Sequence, residues 1–200
     1  MRKQNREMIL VLDFGGQYSQ LIARRIRECK VYCEIHPYSI APEKIKSLRP
    51  RGIVFSGGPS SVYGDGAPLC GDAVFELGIP VLGICYGMQL LAHRLGGAVS
   101  HSEASEYGSA ELTVKKPEGI LAKLPSRLKV WMSHGDFVTQ APPGFDITAS
   151  SANSPAAAMQ YRTKRLYAVQ FHPEVAHTDK GMEIIKNFLF DICGCAGDWD

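Results

Sequence analysis

Pro80-Val81-Leu82-Gly83-Ile84-Cys85-Tyr86-Gly87-Met88-Gln89 passes from an apolar run into a segment of helical period with no loop residues between them. Pro80 to Ile84 reads as a short buried strand. Tyr86 to Leu95 reads as a helix, closed by Gly96 and Gly97 where left-handed caps occur. A strand that becomes a helix at once, with glycine two positions before and two after a cysteine, has the spacing of a nucleophile elbow. So tight a turn leaves no room for Cβ atoms at the flanking positions. Cys85 then stands at a helix N-terminus, where unpaired amides and the helix dipole favour the thiolate, the form that attacks carbonyl carbon.

Outward from the elbow, short apolar runs alternate with helical segments, the pattern of parallel strands joined by crossover helices. Toward the N-terminus the predicted strands are Met8 to Leu12, Val31 to His36 and Gly52 to Phe55. The predicted helices are Tyr18 to Cys29, Pro42 to Leu48 and a segment near Cys70 to Leu77. From Gly108 onward the texture turns β-rich: Glu111–Val114, Leu128–Met132, Ile147–Ser150, Ala157–Tyr161 and Leu166–Phe171 are short runs divided by Pro and Gly. Gly181 to Cys193 reads as a closing helix. The expected organisation is a polar tail over residues 1–7, one α/β domain over 8–193, and the beginning of a linker over 194–200.

The chain has 200 residues, 45% hydrophobic and 21% charged, which suits one domain of ordinary size and excludes disorder. Lys plus Arg number 22 against 20 Asp plus Glu, so no general basic field attracts nucleic acid or an anionic membrane. No stretch approaches the ~18 apolar residues of a membrane span. The six cysteines are not needed as staples in a chain of this size, and reduced cytoplasmic thiols are expected. Their C-x3-C and C-x-C spacings are not those of a zinc site, and no metal is expected.

A cysteine nucleophile needs a base, and a carboxylate improves an imidazole by fixing its tautomer. His93 lies about 12 Å up the elbow helix and cannot reach the thiol. His172 follows the Leu166–Phe171 run, at the edge where parallel strands deliver their loops. Glu174, two residues on, falls on the same side if extended geometry persists through Pro173. The Ser56-Gly57-Gly58-Pro59 turn offers glycine amides that can approach an oxyanion together with the Tyr86 amide. It superficially matches a pyrophosphate-cradling S-G-G-x-D-S loop, but the acid is missing and Pro59 removes a donor.

Gly83-Ile84-Cys85-Tyr86-Gly87-Met88-Gln89, Gln170-Phe171-His172-Pro173-Glu174 and Ser56-Gly57-Gly58-Pro59 resemble the signature segments of the class I glutamine amidotransferases. The resemblance covers about Met8 to Cys193. It implies a flavodoxin-like fold with a mainly parallel central sheet, and a catalytic set of Cys85, His172 and Glu174. It further implies an oxyanion hole from the amides of Gly58 and Tyr86, and substrate contacts from Gln89 and from a loop of Ser133, His134, Gly135 and Asp136 over the pocket. Leu12 to Tyr18, Trp131 to Asp136 and His172 to Val175 resemble the branch of that family whose ammonia converts XMP to GMP. In that branch ATP and magnesium act on a separate ATP pyrophosphatase (synthetase) unit. An amidotransferase of another synthase, a γ-glutamyl hydrolase, and a non-catalytic flavodoxin-like module that binds FMN are the alternatives. Asp13 to Tyr18 lacks the Ser/Thr-rich phosphate loop expected of the last.

Overall fold

A computed structural model describes residues 7–200, so the polar tail expected over residues 1–7 lies almost wholly outside the described residues. β1 (Met8–Asp13), β2 (Tyr32–Pro37), β3 (Gly52–Phe55) and β4 (Val81–Ile84) pair in parallel, with α1 (Ser19–Glu28) and α2 (Pro42–Leu48) as crossovers. α3 (Tyr86–Arg94) leaves β4 directly. The chain continues through β5 (Ala98–Val114), β6 (Arg127–Gln140), β7 (Asp146–Ser150), β8 (Ala158–Tyr161) and β9 (Leu166–Val169) to α4 (Gly181–Lys186). The strand order in the nine-stranded sheet is β2-β1-β3-β4-β9-β8-β7-β5-β6. β9 returns beside β4 as the last parallel strand, while β8, β7, β5 and β6 join antiparallel.

The inner parallel strands β3 and β4, and β1 up to Asp13, are apolar because both faces are covered, while the edge strand β2 carries Glu34 and His36. Ile9 and Val11 pack under α1 and α4 with Ile22, Ile26 and Ile184, while Leu10 and Leu12 point to the opposite layer with Leu90 and Leu91 of α3. That alternation buries both sets fully and fixes the register of β1. No helix among the described residues is long and apolar enough to cross a membrane.

Several boundaries differ from those the sequence suggests. The helix expected near Cys70 to Leu77 is only a 3-10 turn over Asp72–Glu76. The closing helix over Gly181 to Cys193 changes into a π-turn at Asn187–Ile192. β5 and β6 are far longer than the runs predicted for them and form one antiparallel ribbon, with a register shift between His101 and Glu106. Ser133 to Asp136, expected as a loop, lie inside β6, because Ser133 and His134 pair with Tyr107 and Glu106 across the ribbon. Residues 194–200 fold back onto the body: the Ala196 amide donates to Glu7, the Trp199 amide donates to the Lys30 carbonyl, and the Trp199 ring packs on Tyr32.

Candidate active site

β4 ends at Ile84, and the next residue has φ 55 and ψ −108, a conformation outside the left-handed helical well that side chains normally avoid. That residue is Cys85. Its amide is tied to the Val169 carbonyl at 2.8 Å, and its carbonyl accepts from the Met88 and Gln89 amides that open α3. A Cβ at Gly83 would lie 2.7 Å from the Gly87 carbonyl oxygen, and one at Gly87 equally close to Phe55 backbone oxygen. The turn therefore needs glycine on both sides, for the steric reason the spacing suggested.

His172 comes to the thiol from beyond β9, its amide bonded to the Trp131 carbonyl and its own carbonyl held by Thr178 Oγ1 at 2.7 Å. Strand geometry ends at Val169, so His172, Pro173 and Glu174 do not continue extended. A turn at Pro173-Glu174 brings the carboxylate back, and His172 Nδ1 sits 2.6 Å from Glu174 Oε1. Arg25 of α1 holds the Glu174 carbonyl at 2.9 Å, and Tyr18 packs edge-on against the imidazole. Burial pulls the His172 pKa down, yet its hydrogen bonds to Cys85 and Glu174 and their charges outweigh that and raise it to about 10. The imidazole thus keeps its proton through the neutral range, between a sulfur and a carboxylate. A Cβ at Gly57 would fall 3.2 Å from His172 Cε1 and 3.6 Å from Cys85 Cβ, so the Gly57-Gly58 turn passes close to both.

The ribbon closes the other wall. Cys85, Gln89, Gly58, His172, His101, Tyr107 and residues 133–136 all line one cavity of about 620 Å³. The Asp136 carbonyl accepts from Gln89 Nε2 at 2.8 Å, and from His134 Nδ1 at 2.9 Å. The other nitrogen of His134 meets the Glu106 carboxylate at 3.0 Å, which Ser154 and Ser151 also donate to. A carbonyl can only accept, so Nδ1 carries a proton, and Nε2 faces a carboxylate that burial pushes up but the bonds from His134, Ser154 and Ser151 bring below its usual range. His134 is therefore clamped between the Asp136 carbonyl and the Glu106 carboxylate. The Asp136 carboxylate stays at the cavity wall, 2.9 Å from His101 Nδ1.

The family model described as glutamine amidotransferase class-I matches residues 10–192, nearly the whole chain. The chain belongs to the class I glutamine amidotransferases. Among relatives of this amidotransferase are the GMP synthase [glutamine-hydrolyzing] of Carboxydothermus hydrogenoformans, 60% identical over 191 residues, and that of Ruminiclostridium cellulolyticum, 58% identical over 195. They cover 96% and 98% of this chain, and the chain spans 38% of their length. Among solved structures, a putative GMP synthase protein from Thermoplasma acidophilum superposes with a TM-score of 0.85 at 34% identity, covering 94% of each chain. A glutamine amidotransferase from Thermotoga maritima shares the fold at 22% identity and a TM-score of 0.66, covering 92% of this chain and 83% of that one.

In this amidotransferase the fold brings Cys85, His172, Gly58, Gln89 and residues 133–136 around one cavity, with Glu174 buried behind His172 and the Tyr86 amide beside Cys85 in the first turn of α3. His134 lies on that wall with both ring nitrogens taken by Asp136 and Glu106. Trp131 packs against His177, and Tyr63 against His93, with Tyr63 exposed. Sequence reading missed Glu106, Ser151 and Ser154, whose only signal was a lone acid upstream of the predicted β-rich half and a serine-rich turn. It also missed His101 and Tyr107, which reach the cavity through ribbon pairing alone. Burial raises the other thiols, Cys70 to about 12 and Cys195 to about 11, while Cys29, Cys33 and Cys193 are raised as well. All six are unpaired.

Proposed function

We propose that the chain hydrolyses L-glutamine to glutamate and ammonia through a thioester on Cys85, and that the ammonia serves amination of XMP to GMP. The observation that carries the first part is the line from a sulfur at the elbow through His172 to Glu174, opening on a cavity of about 620 Å³. Names and identities of the relatives support the second.

In this reading the Cys85 thiolate attacks the side-chain amide carbon and the carbonyl oxygen takes the negative charge, facing the amides of Gly58 and Tyr86. Collapse re-forms the carbonyl and breaks the C–N bond. The proton on His172 goes to the departing nitrogen, which leaves as ammonia. The neutral imidazole then takes a proton from water as the water oxygen attacks the thioester. The C–S bond breaks, and the sulfur leaves as thiolate beside the renewed imidazolium. Glu174 keeps the ring oriented and offsets its charge throughout. Gln89 has its amide N–H engaged with Asp136, leaving its oxygen for an ammonium group, and the Asp136 carboxylate offers a second acceptor for the substrate's α-amino end.

ATP and magnesium belong in this scheme to a second, ATP pyrophosphatase unit, and no residue among 7–200 is assigned to them. With buried, unpaired thiols, we read the compartment as the reducing cytoplasm.

The test is peptide mass spectrometry after exposure to a diazo-ketone analogue of glutamine, with Cys85→Ala assayed in parallel. The adduct is expected on Cys85, with glutamine turnover lost in a variant of unchanged circular dichroism. An adduct on another cysteine, or retained turnover, overturns the nucleophile. Adding the synthetase unit with XMP, ATP and magnesium is expected to raise turnover and yield GMP. Indifference to XMP removes the GMP assignment and leaves another synthase or a γ-glutamyl hydrolase.

A further inference from the structure

Gln170, the first residue past β9, is completely buried, and its backbone amide is fixed on the Ala157 carbonyl. A carboxamide has a donor arm and an acceptor arm of nearly the same shape, so their assignment has to come from the neighbours. Here a chain of neighbours fixes it. The Asp136 carbonyl only accepts, so the Gln89 arm 2.8 Å from it is Nε2. That same Nε2 lies 3.5 Å from Gln170, and a donor must face an acceptor, so the nearer arm of Gln170 is Oε1. The other arm, an N–H donor, is then left with the sulfur of Cys85, 3.7 Å away, a length suited to sulfur's larger radius.

We propose that Gln170 is a further catalytic group, a neutral donor set on the Cys85 sulfur from a fully buried position outside the cavity lining. The inference rests on the reading of Cys85 as nucleophile and extends it. His172 is the other donor to the sulfur, but its proton is spent on the leaving ammonia and must be regained from water. The Gln170 N–H cannot be given away at any pH the protein survives. It favours the thiolate before attack, and it receives the sulfur's returning charge when the thioester breaks. Through Oε1 the same side chain touches Gln89, so the nucleophile and the group that holds the substrate's far end share one buried carboxamide link.

The experiment is the pH dependence of iodoacetamide alkylation, read by mass at the Cys85 peptide, together with kcat and KM for glutamine. It compares the parent with Gln170→Met, which keeps the bulk and removes the donor, and Gln170→Glu, which keeps the shape and sets an acceptor against the sulfur. In Gln170→Met the alkylation midpoint is expected to rise by about one pH unit, with kcat falling about tenfold and KM changing less than kcat. Gln170→Glu moves both further. A variant midpoint equal to the parent's, whatever happens to turnover, overturns the proposal and leaves Gln170 a packing residue. If Gln170→Met does not fold, Gln170→Glu decides by the same reading. A parent whose Cys85 is not alkylated, or which turns over no glutamine, fails the nucleophile assignment instead, so the two failures are told apart.

Discussion

The backbone bend at Cys85 is set by glycines two places to either side and pinned by the Val169 carbonyl, whereas Asp136 is positioned by a ribbon that sets it against His101, 35 residues away. On the elbow side, Gly83, Gly87 and the abrupt start of α3 leave the thiol one place to stand. On the ribbon side, the wall exists only after β5 and β6 have paired, and it is held by the buried Glu106–His134 pair and two serines from the turn before β8. The lesson is a division of labour. In the proposed function, the nucleophile's bend is locally encoded, while its base and the grip on the substrate come from distant parts of the chain. Changes on the elbow side should therefore act on kcat, and changes on the ribbon side on KM.

Glu174→Gln should give the largest effect on that contrast, lowering kcat about 10²- to 10³-fold with little change in KM, because the ring loses its orienting charge. The pH dependence has a definite sign. His172 is raised from an ordinary 6.5 to about 10, so the proton it needs is present below that range and lost above it. Without the Glu174 charge, burial weighs more heavily, and the alkaline limb of the kcat profile moves to lower pH. By the same linkage, the stability this pair contributes is complete below about 6.5 and disappears as pH rises through about 10. The stability gap between parent and variant should close over that window in thermal melts. An unmoved limb would break the elbow half of the comparison.

Glu106→Gln should come next, with KM for glutamine up about tenfold and kcat nearly unchanged, since the buried His134 loses its carboxylate partner and the Asp136 carbonyl loses its anchor. Steady-state kinetics checks it, and a fall in kcat alone would erase the distinction between the two walls. Cys70→Ala should do least. Its thiol is buried, raised to about 12 and outside the cavity, so activity should stay within about twofold and stability in thermal melts should fall by about 1 kcal/mol at most. A large activity loss there would show that the elbow is tuned from farther off than its glycines.

The same contrast explains what could be read from the chain. The parallel strands, α1, α2, α3 and the elbow were legible because each is announced by a compact apolar run, a helical period or a glycine within a few residues. His172 and Glu174 were legible as a pair but not in their geometry, since a Pro173 turn, and not an extended chain, makes the contact. Ser133 to Asp136 read as a loop because Gly135 and Asp136 are turn residues by local preference, and only pairing with residues 101–107 holds them in a strand. Glu106 carried no local sign of its partners, His134, Ser151 and Ser154, which the ribbon and the β7–β8 turn deliver from distant parts of the chain. Gln170 stood in plain view before His172, but the direction of its carboxamide is decided by a carbonyl far along the chain.

The backbone of Cys85, at φ 55 and ψ −108, has a further implication. A side chain there costs of order 1–3 kcal/mol, and glycine would occupy the spot with far less discomfort. With Cys85 as the proposed nucleophile, the most relaxed version of this protein is thus an inactive one, and the thiol stands against the pull of its own local folding energy. At this single position turnover and durability ask for different residues, and the sequence holds the one that serves turnover.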